Sequence, residues 1–307
     1  MTTPVDAALS VAQPARRWLA NSLRDKVVGD GAEDKARAIW LARGDRWFRD
    51  RDPIWRVHDD ASMFVGGLRA LLMQSLHPLA MAGVAGHSGY RSDPWGRLQR
   101  TSEFLARTTF GTVADAEAAV ASVRAVHERV RGRTPDGQPY AASDPHLLGW
   151  VHAAEADSFL AAYRRFGASR LTPTEEDEYI AQSGSIAARL GVVGPPRSVA
   201  ELAATLDAYR PELEGTPAAH DAARFLLLRP PLTWAEKPGY ACLAASAVAL
   251  LPLWAKEMLR LPALPVTERV LSLPLGSAAV RAVHWALTDP RHPRDELRQE
   301  YDRLSNA

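Results

Sequence analysis

The stretch that most constrains this chain is residues 61–82, "ASMFVGGLRALLMQSLHPLAMA", which follows Asp59-Asp60 and carries Arg69, Gln74 and His77 as its main polar exceptions. A helix with no polar face must be buried on every side. Such a segment needs several other elements around it, and the rest of the chain supplies helices for that purpose. Alternating β-branched runs are nearly absent, and no Asn-Gly or Asp-Gly turn joins two of them. Helical patterns recur instead, over residues 32–48, 93–109, 115–131, 145–166, 173–190, 198–208, 217–228, 240–259 and 275–287. Several carry their own punctuation. Asp93-Pro94 and Thr172-Pro173 open helices, Ser143-Asp144 precedes Pro145, and Gly132, Gly167 and Gly191 stand where helices close. Prolines in "GPP", "RPPL" and "LPALP" separate the later helices, and no internal repeat is present. The expected fold is all-α, a single multi-helix domain over residues 1–307, with an irregular N-terminal arm (1–31) and a polar tail (290–307).

Composition narrows the function classes. A chain of 307 residues with net charge +1 has no electrostatic footprint for a nucleic-acid partner. One cysteine, Cys242, excludes an internal disulfide and a CxxC site. The N-terminus has no apolar signal core, and Arg16-Arg17 is followed at once by a return to polar residues. The longest apolar run, residues 240–255, is broken by Pro252 and falls short of a ~20-residue membrane span. These features lead to the expectation of a cytoplasmic protein without a membrane span.

Polar groups on apolar faces mark the candidate site. On a helix over residues 93–109, Arg97 and Thr101 fall on the same face as Phe104, Leu105 and Thr108. On the next helix, His127 sits among Val120, Val123 and Val130. On the one after, His152 shares a face with Leu148, Ala156, Phe159 and Tyr163, while His146 lies off that face. His77 precedes Pro78, and His87 follows a glycine-rich turn. Any one of these histidines can be a core residue bonded to a carbonyl. Together with Arg97 and Thr101 they are too many buried polar groups to leave without a shared partner. Zinc lacks an HExxH or other compact spacing, and a di-iron bundle lacks paired Glu-x-x-His motifs, since only the reversed His152-x-x-Glu155 occurs. Haem asks for one histidine on an apolar wall with cationic or hydroxyl groups nearby, which suits these residue types best. A serine hydrolase has no G-x-S-x-G elbow here, and "GVAGHSG" has no strand before it to make a phosphate loop.

Four stretches in order, "LLMQSLHPLAMAGVAGHS", "DPWGRLQRT", "VHERVRG" and "YAASDPHLLGWVHA", closely resemble the motifs of the MpaB and latex-clearing-protein family of oxygenases. The resemblance is dense over residues 60–165. It implies a globin-like helical core around a haem b, with His127 of "VHERVRG" as the proximal iron ligand and Arg97 and Thr101 on the distal side. Two positions depart from the rubber-cleaving members. Arg100 stands where they have a lysine able to ligate iron, and residues 61–92 contain no carboxylate to serve as their base. The expected function is a haem b-dependent oxygenase or oxidase using dioxygen or peroxide on a small apolar metabolite. Its expected site is His127, Arg97 and Thr101, with His152 as the second candidate ligand. The alternatives are a haem-binding sensor or carrier without turnover, and a helical scaffold that has lost its haem.

Overall fold

The computed structural model describes residues 4–87, 91–288, 301 and 303. It is 70% helix and 3% strand. The N-terminal arm expected to be irregular is a helix, α1 (Pro4–Val27), which packs against the last helix of the chain and against α6. It is followed by α2 (Ala32–Trp40), α3 (Pro53–His58), α4 (Met63–Gln74) and α5 (Pro78–His87). The apolar stretch is therefore two helices. Pro78 has no N–H to continue α4 and disfavours helical geometry at His77, so the chain turns at residues 75–77. Neither piece is buried on every side, since Met63, Phe64, Gly67, Leu68 and Leu71 of α4 make a half-buried stripe, but α4 is the better covered. Val65, Leu72 and Met73 of α4 are fully buried, whereas α5 buries Met81 alone.

Next come α6 (Pro94–Phe110) and α7 (Val113–His127), each started by the signal its sequence carries. Asp93 accepts from the Gly96 N–H, and Thr112 forms a capping box with Asp115. A short hairpin, β1 (Arg131–Arg133) and β2 (Pro139–Ala141), was not expected. Its turn is Asp136-Gly137, with Gly137 at φ 90°, a conformation that favours glycine. Gly132 belongs to β1, so α7 ends at His127 and not at a glycine cap. The long α8 (Pro145–Phe166) and α9 (Pro173–Leu190) match their expected limits, the latter closing on Gly191 at φ 117°. The chain continues through α10 (Val199–Tyr209), a 3-10 turn (Arg210–Glu212), α11 (Pro217–Leu228), α12 (Lys237–Ala249) and α13 (Leu253–Met258). Pro252 divides what the sequence read as one helix. A last run combines α14 (Pro265–Thr267), a π-turn (Glu268–Ser272) and α15 (Leu273–Leu287). Among the described residues, Pro265–Leu287 is long and apolar enough to cross a membrane by length and composition, and 22% of its most apolar window is buried.

Helix α8 organises the core. Its Phe159 and Tyr163 join Trp40, Trp55, Phe110 and Tyr179 in one cluster. Its Trp150 joins Leu72, Met73 and Tyr209 in a second, and its Ala162 joins Val65, Leu243 and Val280 in a third. Trp40 stacks on Phe110 at 5.1 Å, and Trp55 meets both edge-on. Helix α4 lies closest to α8 because Gly66 has no side chain. A Cβ there would stand 2.8 Å from Phe159 Cδ1 and 3.2 Å from its Cα. The polar exception Arg69 is a clamp inside this contact. It donates to Leu250 O at 3.0 Å and Ser158 Oγ at 2.7 Å, and pairs with Asp157 at 2.7 Å. Most of the expected polar tail lies outside the described residues. Tyr301 is an exception, packed near the Trp40 and Trp55 rings at 6.1 Å.

Candidate active site

Helices α6 and α7 pack on each other, and both present their singled-out residues at the less covered end. On α6 the expected inward face is inward only in its last turns. Thr108 and Thr109 are buried, Arg97 is half-buried and Thr101 is exposed. The Thr101 hydroxyl donates to Arg97 O at 3.0 Å, a bond within the helix that it must release before donating elsewhere. Arg100 lies outside this face and pairs with Asp93 at 3.2 Å. Gln99, on the opposite side, donates to Asp25 O at the end of α1 and fixes the rotation of α6.

On α7 the apolar face also runs from cover to exposure. Ala116 and Val120 are buried, Val123 is half-buried, and Val126 is 44% exposed. His127 closes the helix half-buried. Its Nδ1 is enclosed yet finds no hydrogen-bond partner among the described residues. Burial lowers its pKa below the usual histidine value, only partly offset by Glu128, so the ring is neutral at pH 7 with a lone pair available. The hairpin after α7 reaches α5, where the Tyr140 ring lies over Gly83 and Gly86, and its hydroxyl is 3.4 Å from His87 Nδ1. Helix α5 is apolar along its length but mostly half-exposed, and it thereby becomes a neighbour of the strands that follow His127.

His152 is on the buried face of α8 as the sequence indicated. Its Nε2 is enclosed with no partner among the described residues, and burial pulls its pKa down to about 4. One turn on, the carboxyl of half-buried Glu155 is pushed up to about 7 by the same cause.

Two groupings escaped the sequence. His58 is held at about 3 by burial, and its Nδ1 is 2.8 Å from Thr109 Oγ1. Its Nε2 and the nearby Tyr179 hydroxyl are both enclosed without partners among the described residues. A signal existed: His58 is three and four residues after Trp55 and Ile54, both fully buried. The second grouping joins His77, His146 and Glu212, whose ligand atoms all lie within 4.8 Å of one another. His146 is exposed, as its position off the α8 face required, and its Nε2 is 2.8 Å from Glu212 Oε2. No sequence spacing joins residues so far apart.

The profile of the family described as "ER-bound oxygenase mpaB/B'/Rubber oxygenase, catalytic domain" matches residues 55–286. No curated protein and no solved structure gives a significant match. The matched range starts in α3 and ends one residue before α15 does, so it includes every residue of the site just described.

Proposed function

This chain belongs to the mpaB and rubber-oxygenase family, an oxygenase catalytic domain, and from that premise we propose that it is a haem b-dependent oxygenase acting on a small apolar substrate. The observation that carries the cofactor is His127 Nδ1, enclosed without a partner among the described residues at the end of a helix whose apolar face is uncovered only there. An enclosed ring nitrogen without a hydrogen bond is costly, and a bond to iron removes that cost. The side chains around it on α7 are valines and alanines, small apolar groups against which a flat macrocycle could lie, and α5 presents a half-exposed apolar surface to the hairpin that follows. The residues present therefore fit the group.

His127 would hold the iron through a neutral imidazole. Haem supplies the dioxygen chemistry, which no protein side chain here provides. Arg97 would offer a permanent positive charge and planar donors to a propionate of the group. Thr101 offers a hydroxyl oxygen in the same quarter, and its O–H becomes available when the bond to Arg97 O is released. Arg100 stays protonated and tied to Asp93, so it is no counterpart of a ligating lysine.

The test is haem titration followed by absorption spectroscopy. The expected result is a shifted Soret band at about one haem per chain, with a resting ferric form that binds imidazole readily. His127→Ala should abolish that shift, whereas His152→Ala should keep iron–histidine ligation. A spectrum of free haem that the protein leaves unchanged would overturn the proposal. A closed low-spin form that resists imidazole would favour a sensor or carrier in its place.

A further inference from the structure

We propose that His77, His146 and Glu212 form a second metal site, separate from the haem site, that takes a divalent transition ion of the zinc class. The three residues come from three places: the break between α4 and α5, the first turn of α8, and the 3-10 turn after α10. His77 is the anchor. Its side chain is 3% exposed, walled by the Trp150 and Tyr209 rings at 6.4 Å, and neither ring nitrogen has a formed hydrogen bond among the described residues. Its Nε2 faces Glu212 Oε2 at 3.5 Å, too long for a hydrogen bond.

The spacing suits a small ion. With metal–ligand bonds of about 2.0–2.2 Å in a tetrahedron, neighbouring ligand atoms stand roughly 3.4 Å apart. The His77–Glu212 pair is already at 3.5 Å. The His146–Glu212 pair, at 2.8 Å, is a hydrogen bond between two exposed side chains and can open by the needed fraction of an ångström. The His146 side of that pair is positioned from behind. Asp144 Oδ1 accepts the His146 backbone N–H at 2.9 Å, and the Tyr209 hydroxyl donates to His146 O at 2.8 Å. The Tyr209 ring lies 4.7 Å from the His146 ring. Two imidazoles and one carboxylate favour zinc, cobalt or nickel over magnesium or calcium, which want oxygen ligands. Water would complete the shell on the exposed side. A bound ion would fasten the start of α5 to α8 and to the end of α10. The sequence signal is weak because the ligands are 69 and 66 positions apart along the chain, not one helical turn.

Zinc titration of the full-length chain, first stripped with a chelator, tests this by calorimetry and thermal melting. About one zinc should bind per chain and raise the Tm by several degrees. Glu212→Gln and His146→Ala alter exposed side chains and should fold normally, yet each should weaken binding at least tenfold and cancel the Tm shift. His77→Ala should do the same. His127→Ala and the exposed His284→Ala should leave zinc binding intact, which separates this site from the haem ligand and from surface histidines. Absence of zinc binding overturns the proposal. So does affinity that survives Glu212→Gln and His146→Ala, or affinity lost in His127→Ala.

Discussion

The contact between α4 and α8 and the surroundings of α5, α6 and α7 are built from similar residues and packed in opposite ways. In the first, Gly66 lets Phe159 close in, and Leu72, Met73 and Trp150 are all at 0% exposure. In the second, an equally apolar α5 buries one side chain, and Val126 of α7 and Thr101 of α6 are exposed. Hydrophobic residues collapse wherever complementary surface is offered. In the second region that complementary surface is not offered within the chain, and it is there that the haem proposed above would sit. What separates the regions is therefore not composition but the presence of a partner within the chain.

The largest test of that contrast is Leu72→Ala. The side chain is fully enclosed, so the loss should be about 2–5 kcal/mol, read from the midpoint of urea unfolding. A loss below about 1 kcal/mol would mean that the contact is loose and the comparison false.

Acid should expose the buried histidines next. His58 and His152 are held near 3 and 4, against about 6.5 in an unfolded chain. The unfolded chain takes up protons as pH falls through 6.5 while the folded one does not. The stability these rings carry is thus complete above about pH 6.5 and declines from there toward their folded values. Glu155, raised to about 7 from 4.5, acts in the other direction: its share is complete below 4.5 and is lost as pH rises to 7. Two groups oppose one, so stability should fall by about 1–2 kcal/mol between pH 6.5 and 5. In His58→Phe the two remaining groups nearly cancel and the slope should flatten. An unaltered slope in that variant would show that His58 is not the buried neutral group.

Gly66→Ala sharpens the packed side at smaller cost. Alanine in a helix gains about 1 kcal/mol over glycine, but a Cβ pressed against Phe159 costs about 1–3 kcal/mol. The net should be a destabilisation of about 1 kcal/mol, and a stabilised variant would disprove the close approach. Smallest of all is Val126→Ala, at 44% exposure, which should change unfolding by less than about 0.5 kcal/mol. The same substitution should weaken haem binding severalfold in titration. A large stability loss with unchanged haem affinity would reverse the roles assigned to the two regions.

Much of the fold was legible where a helix carries its own start or stop. Asp93-Pro94, Thr172-Pro173 and Gly191 work locally, through the first and last orphan backbone groups, and α6 and α9 stand where those residues place them. Errors fell where the stop is a proline inside an apolar run. Pro78 and Pro252 each divide one expected helix into two, because a missing N–H outweighs continued hydrophobicity. The hairpin escaped because strands of three residues carry no alternation to read. In the site, the inward turn of His152 and the partial burial of His127 were readable from their apolar neighbours. The exposure of Thr101 was not, since helical spacing says which residues share a face and not how far along the helix the cover extends.

By itself, the sequence determined the helical class, most helix limits and the family. These follow from local rules: backbone groups that need caps, a period of 3.6 residues, and motifs read in order. Only the tertiary structure decided which apolar faces are covered. It alone brought His58 against Thr109 and Tyr179, and His77 against His146 and Glu212. The physical reason is that burial and ligand geometry depend on separations of a few ångströms between helices distant in the chain. Those separations are fixed by packing side chain against side chain around α8, as where Gly66 admits Phe159.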